Sequence, residues 1–255
     1  MGTESPSARS TEFTPALFDA TYPEGVERHY WSAARNHIVE RLLRRYVLAS
    51  RDTPALEIGC ARGVVVDHLR RAGLAVWGCD LGRPKPIRPE VEPFLRLECD
   101  AFALHEPVLL QAQAILLLDI LEHLADPRDF LTRLAAKFPR ASTFLITLPA
   151  RTELWSNYDE HQQHYLRYDH RTIGGLAPAG FRMARWGYFF HSLYYAGRAL
   201  MMIRKKRTII IRAPGRLARP LHWVLSWGFV AEYLLLPRSL PGSSIYLVLK
   251  ADEGE

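Results

Sequence analysis

The sequence predicts an α/β domain: a doubly wound, mainly parallel sheet of seven strands, with an inserted helical cap before the last strand. Three observations lead there. Short apolar runs alternate with segments of helical apolar spacing. One run, Ala114–Leu118, is wholly aliphatic, as a strand buried on both faces requires. Glycines or acidic residues stand just beyond successive runs, where such sheets bind their ligands.

Taken in order, residues 26–48 place Trp31, Ile38, Leu42 and Tyr46 at helical spacing and read as one amphipathic helix, ending before Asp52-Thr53-Pro54. Ala55–Ile58 is the first strand and runs into the turn Gly59-Cys60-Ala61-Arg62-Gly63; residues 64–72 form a helix closed by Gly73. Residues 74–79 are the second strand, ending at Asp80. A Pro-rich loop, 82–93, leads to the third strand, 94–98, which ends at Cys99-Asp100. Ala114–Leu118 is the fourth strand and meets Asp119, with a helix at 127–138 behind it. The fifth strand is 142–148, followed by a polar, aromatic loop at 151–168, a helical stretch at 169–179 and a sixth strand, Phe181–Phe189. Residues 191–240 read as inserted helices split near Pro214 and Pro220, and 244–250 as the last strand. The expected organisation is a disordered leader at 1–14, a sheet domain at 15–190 and 241–255, and a basic, aromatic-rich insert at 191–240.

Composition removes several alternatives. With 48% hydrophobic and 24% charged residues, the chain is neither globally disordered nor collagen-like. No stretch of about 18 uncharged apolar residues appears, so no transmembrane helix is expected. The Ser- and Thr-rich start has no apolar centre and does not read as a secretion signal. Cys60, Cys79 and Cys99 are odd in number and lack CxxC spacing, which fits a reducing cytoplasm and small buried filler, and no metal site is read from the sequence.

The net charge of +6 conceals an asymmetry. Between Arg182 and Arg238 there are 11 Lys or Arg residues, one acid (Glu232) and ten aromatics, while the remainder of the chain is net acidic. Two readings stand: a cap that meets an anionic interface or amphipathic ligand, giving peripheral membrane contact, or an amphipathic cap whose charges are solvated. No nucleic-acid motif accompanies the charge, so no nucleic-acid partner is expected.

The strand ends carry the chemistry. Gly59 and Gly63 flank a turn that opens a helix N-terminus toward a ligand. Asp80 can accept both hydroxyls of a ribose, and Asp100 a hydrogen bond from an adenine amino group. Asp119, Glu122 and His123 follow the fourth strand. Together these residues describe a nucleoside pocket.

The same segments carry a family likeness. Glu57-Ile58-Gly59-Cys60-Ala61-Arg62-Gly63, Gly78-Cys79-Asp80, Cys99-Asp100-Ala101 and Leu118-Asp119-Ile120-Leu121-Glu122-His123-Leu124 resemble class I S-adenosylmethionine-dependent methyltransferases of the small-molecule type, with a Rossmann-like sheet. Tyr30-Trp31-Ser32-Ala33-Ala34-Arg35, Tyr158-Asp159-Glu160-His161, His164-Tyr165-Leu166-Arg167-Tyr168, Ala179-Gly180-Phe181 and Pro241-Gly242-Ser243-Ser244 extend the likeness from about Tyr30 to Lys250, the basic insert excluded. One departure is Ala61, where the family has the middle glycine of the first turn.

The resemblance implies a set of roles. Glu57 and Gly59 would line the methionine portion of the cofactor, Asp80 would hold the ribose, Asp100 and Ala101 would sit at the adenine, and Asp119 near the sulfonium. Arg35 would pair with the cofactor carboxylate, and Cys60, Gly63 and Leu81 would complete the wall. A hydroxyl acceptor must also lose a proton, which suits histidine; the candidates are His123, His161 and His164, with Asp159 placed to orient one of them. Trp155, Tyr158 and Tyr165 would wall the acceptor. Tyr194, with Tyr195, Met201, Met202, Trp223 and Trp227, would form a wide apolar chamber, a dimer surface or a monolayer-binding face. The expected activity is methylation of an oxygen, with carbon and nitrogen open, on a small apolar or amphipathic acceptor. The alternative is a non-catalytic module binding a membrane or protein through its basic cap.

Overall fold

The structure is a computed structural model and describes residues 18, 21–47, 50–204 and 212–252. The leader expected at 1–14 and residues 205–211 of the insert lie outside the described residues. The chain runs through α1 (Tyr30–Leu42), β1 (Ala55–Ile58), α2 (Val64–Arg71), β2 (Val76–Cys79), β3 (Leu95–Arg96), α3 (Pro107–Leu110) and β4 (Ala114–Leu118). There follow α4 (Pro127–Lys137), β5 (Thr143–Pro149), α5 (Asn157–His161), β6 (Phe181–Phe189), α6 (His191–Arg204), α7 (Arg219–Leu235) and β7 (Ser244–Ala251).

The seven strands form one sheet in the order β3-β2-β1-β4-β5-β7-β6. The pairs from β3 to β5 are parallel, and β7 is antiparallel to both of its neighbours. Chain order reverses between β1 and β4, so the carboxyl ends of β1, β2 and β4 face one crevice. Both faces are buried by the period-2 rule. Leu56, Ile115 and Leu117 point into one layer with Phe138 and Phe144, whereas Ala55, Leu116 and Leu145 point into the other with Ile38 and Leu42. Asp126 caps α4 by accepting a hydrogen bond from the Asp129 amide at 2.9 Å, and Pro127 occupies the first helical position.

Three elements differ from the sequence reading, besides the short helix α5 that forms within the expected loop 151–168. The helix expected over 26–48 is divided: Gly25 adopts φ 84°, His29 is extended and caps α1, and Leu43–Val47 continues as a wider π turn. The helical stretch at 169–179 reduces to a 3-10 turn, Thr172–Leu176, because Gly174 and Gly175 favour no helix and Pro178 prevents its extension. The third strand shrinks to two residues, Leu95–Arg96, since the 3-10 turn Pro89–Phe94 takes up its first residue and Glu98 turns into left-handed backbone (φ 54°) at its end.

Among the described residues the insert forms two helices with different jobs. Phe229 and Val230 of α7 are buried toward α1, where the Tyr30 amide donates to His222 Nδ1 at 3.1 Å and the Tyr30 and Phe229 rings lie 5.5 Å apart. α6 instead stands over the carboxyl ends of the strands. The insert is closed at its base: Phe189 pairs with Ser244 in the β6–β7 ladder, the Ser243 amide donates to the Phe190 carbonyl at 3.2 Å, and His191 Nδ1 lies 3.0 Å from the Pro241 carbonyl oxygen.

Candidate active site

The carboxyl ends of β1, β2, β4 and β5 open on a cavity of about 750 Å³, within the usual range for small-molecule and cofactor sites. Asp80 and Asp100 both line it, as do Gly59, Leu81, Ala101 and Asp119. Convergence of the strand-end carboxylates on one space is therefore a feature of the fold.

Asp80 is held by two backbone donors. The Ala61 amide donates to one carboxylate oxygen at 2.7 Å and the Gly82 amide to the other at 2.9 Å. This requires the first turn to fold back over β2, which Gly59 (φ 76°), Ala61 (φ 45°) and Gly63 (φ 75°) do through left-handed backbone. Ala61, an alanine in a conformation that favours glycine, thus still presents its amide to Asp80. The space beside the two glycines is taken by the protein itself: a Cβ on Gly59 would lie 2.2 Å from Ile120 Cδ1, and one on Gly63 2.8 Å from Leu95 Cδ1. Asp100 caps the turn Ala101–Ala103 by accepting from the Phe102 amide at 2.9 Å, and stands at the exposed rim.

Arg35 rises from α1 into the same cavity and forms an ion pair with Asp119. Burial works against its charge, but Asp119, with Tyr22 and Glu57, holds the guanidinium pKa above its ordinary value. Asp119 sits in left-handed backbone (φ 59°) and also accepts from the Thr147 hydroxyl at 3.3 Å. Glu57 is buried beneath this group; burial pushes its carboxyl up to about 8, opposed by Arg35. Arg35 Nε and Asn36 Oδ1 are buried at the cavity without a hydrogen-bond partner among the described residues. Buried polar atoms of this kind call for a polar ligand. Pinned carboxylates for hydroxyls, unsatisfied donors and acceptors, and an acidic wall for a cationic sulfonium fit S-adenosylmethionine.

The other end of the cavity is a side-chain network. Ser156 and Asp159 form a capping box at the start of α5, with the Ser156 amide donating to Asp159 at 2.9 Å. Arg167 donates to the same carboxylate at 2.7 and 3.2 Å and to the Ala150 carbonyl at 3.0 Å, and His164 Nδ1 lies 3.0 Å from it. Burial opposes the Asp159 charge, yet His164 and Arg167 hold its pKa below the usual carboxylate range. The His164 ring meets His123 edge-on at 4.8 Å. Burial, with His164 beside it, lowers the His123 pKa to about 4, so this imidazole is neutral and weakly basic. Burial and the Asp119 charge raise the Glu122 carboxyl well above the normal range.

The family description "Methyltransferase domain" matches residues 29–194. The chain belongs to that family. It is an S-adenosylmethionine-dependent methyltransferase of class I, with the Rossmann-like sheet that the motifs implied. No curated protein sequence matches the chain. Solved structures that share its fold include two methyltransferases. One is 1,6-didemethyltoxoflavin-N1-methyltransferase of Burkholderia thailandensis with bound 1,6-didemethyltoxoflavin and S-adenosylhomocysteine, at 16% identity and a TM-score of 0.52, covering 98% of this chain and 93% of that one. The other is phosphoethanolamine N-methyltransferase 2 of Haemonchus contortus with S-adenosyl-L-methionine, at 17% identity and a TM-score of 0.54, covering 94% of this chain and 60% of that one. Nothing in these comparisons favours a non-catalytic module.

Not every residue singled out by sequence reaches the methyltransferase's cavity. Glu57, which precedes the first turn, and Cys60 and Gly63, which belong to it, lie outside the lining; Cys60 packs on Gly78, where an added Cβ would come within 2.6 Å of the Cys60 Cβ. His161 is exposed on α5: it stands about 200° around the helix from buried Asp159, so only one of the two can face inward. Trp155 and Tyr165 also lie outside the lining, where Leu154, His164 and Tyr158 take the inner positions. Tyr194 is turned away as well, its hydroxyl donating to Glu153 at 3.0 Å. The residues of α6 that do face the cavity are Leu193, Ala196, Gly197 and Leu200, an i, i+3, i+4, i+7 set legible in the sequence but not singled out there. Phe18 and Tyr22, spaced by one helical turn before α1, also line it and were missed.

Proposed function

We propose that this methyltransferase methylates an oxygen of a small apolar or amphipathic acceptor that lies between α6 and the His123–His164 pair. One observation carries the reading: the apolar residues Leu193, Ala196 and Leu200 of α6 line the same cavity as the polar group Glu122, His123 and His164. Such a chamber takes the apolar body of an acceptor on one side and its hydroxyl on the other. S-adenosylmethionine, when bound, supplies an electrophilic methyl and leaves the protein the tasks of alignment, drying and proton removal. Asp80, Asp100 and Arg35 would hold and orient it. The polar end would receive the acceptor hydroxyl and favour loss of its proton, with Asp159 and Arg167 keeping the His164 ring in place.

A peripheral contact with an anionic lipid surface would deliver an amphipathic acceptor. Among the described residues no helix is long and apolar enough to cross a membrane. Yet α7 is apolar on its outer face as well as its inner one, with Trp223 64% and Leu235 81% exposed beside Arg216, Arg219 and Arg238. Exposed tryptophan and leucine among arginines is the composition of an interfacial helix.

The reading is tested with isotope-labelled methyl donor and a panel of phenols and long-chain alcohols, amines and carbon acids. Ether products are expected, with turnover reduced at least tenfold by Leu200→Asp; transfer to the nitrogen or carbon acceptors alone would reject the oxygen assignment. Co-sedimentation with phosphatidylglycerol vesicles, lost in Trp223→Ala/Leu235→Ala and at high salt, is expected for the lipid contact. Equal recovery with neutral vesicles would reject it.

A further inference from the structure

We infer that Glu122, His123 and His164 form a binding site for a divalent first-row metal ion at the acceptor end of the cavity. The three side chains each offer one ligand atom, and these atoms lie within 4.8 Å of one another. All three line the cavity. Ligands around one such ion stand roughly 3 Å apart, so small side-chain rotations close the set. Two imidazoles and one carboxylate are a donor set for manganese, iron, cobalt or zinc, with the remaining coordination positions open to water or substrate.

Three features beyond proximity favour an ion. Glu122 is 1% exposed, and its Oε2 has no hydrogen-bond partner among the described residues. A carboxylate oxygen buried in that state lacks a cation or donor. The rings are also prepared from behind: His164 is tied through Nδ1 to Asp159 at 3.0 Å, and His123 is hydrogen-bonded to the Gln162 backbone. A carboxylate or carbonyl behind each imidazole fixes its orientation and raises its strength as a ligand. Finally, two guanidiniums of the cavity lining, Arg35 and Arg167, are paired with Asp119 and Asp159 respectively and do not supply Glu122 Oε2 with a donor.

The spacing hid this site from the sequence. His164 is far along the chain from the Glu122-His123 pair, brought to it by the loop after β5, and the Tyr165 amide pins that loop by donating to the Glu122 carbonyl at 2.7 Å. The consequence for catalysis rests on the reading of this end as the acceptor site, though ion binding itself does not. An acceptor hydroxyl coordinated there would give its proton to water and keep the O–H electron pair on oxygen, which makes the oxygen a nucleophile at neutral pH.

The test uses the full, untagged chain stripped with EDTA, desalted and titrated with Co²⁺. Visible d–d bands saturating at one equivalent are expected, together with hyperfine-shifted resonances from two histidine rings. His123→Ala, His164→Ala and Glu122→Gln should each weaken Co²⁺ binding at least tenfold, with far-UV circular dichroism confirming the fold. A second cluster, His37, Glu40 and His68, serves as control; its glutamate is already shared by Arg44 at 2.9 Å and His68 at 3.0 Å, and His68→Ala should leave the bands unchanged. Asp80→Ala should keep the bands but lose affinity for demethylated cofactor, separating ion binding from the cofactor site. Absence of bands in the unmutated chain, shifted resonances from fewer than two histidines, or bands that vanish with His68→Ala would overturn the proposal. Bands without any ether product would instead sink the oxygen-acceptor reading and leave the ion site standing.

Discussion

At the end of the cavity proposed for the cofactor the polar side chains are tied to backbone amides close by, whereas at the end proposed for the acceptor they are tied to one another across loops. Asp80 takes its hydrogen bonds from the Ala61 and Gly82 amides and Asp100 from the Phe102 amide. Asp159, by contrast, is shared by Ser156, His164 and Arg167. The first arrangement is a property of turns and survives the loss of any one side chain. The second is a mutually dependent set in which removal of one member strands the others.

Asp159→Ala tests that dependence most severely. It leaves the Arg167 guanidinium, 5% exposed, without its counter-ion, and breaking a buried pair in this way costs about 3–5 kcal/mol. Urea denaturation should show the loss, while calorimetry on the folded protein should find cofactor affinity unchanged. A loss under 1 kcal/mol would mean that the network does not act as a unit.

Glu57 gives the cofactor end its own energetic signature. Its carboxyl is pushed up to about 8 from an ordinary value of 4.5. Below pH 4.5 the group is protonated in both folded and unfolded chains. As pH rises toward 8 the unfolded chain ionises first, so folding stability falls through that window, by of order 3 kcal/mol. Glu57→Gln should remove this slope. Parallel slopes for both proteins in ligand-free urea melts at pH 5 and 8 would refute it.

Asp80→Ala should reduce affinity for the demethylated cofactor about 100-fold, close to 2.7 kcal/mol. Tyr194→Phe is the mildest change. It removes the hydrogen bond to Glu153 and should cost about 1 kcal/mol, with cofactor affinity unaltered because the ring faces away from the cavity. A cofactor defect in this variant would place α6 on the wrong side of the division.

The same division governs what could be read from the chain. Ala55–Ile58 and Ala114–Leu118 were legible to the residue, because a strand covered on both faces must be an apolar run between turn signals. The carboxylates that follow such runs were legible for the same reason. The acceptor end was only partly so. His123, His164 and Tyr158 were singled out and do line the cavity, but His161 was grouped with them because the loop was not seen to begin a helix, although Ser156 and Asp159 carry a capping-box pattern. The Asp159–Arg167 pair depends on how two loop segments fold back, and no periodicity reports that. On α6, aromatic bulk drew attention to Tyr194, whereas helical spacing selects the smaller Leu193, Ala196 and Gly197.

The closed base of the insert has a consequence for how this protein could be re-engineered. Chain entry at His191 and exit at Pro241 are stitched together beside the terminal ladder, so the insert, which lines part of the cavity through α6, is attached like a cassette at a single doorway. Exchanging the cassette for another of different length would alter which molecules are admitted without re-threading the sheet, since closing a longer connection between fixed ends adds little entropic penalty. The transplant must carry over one inherited feature, the inward stripe of Ser226, Phe229 and Val230, because α1 relies on it for cover.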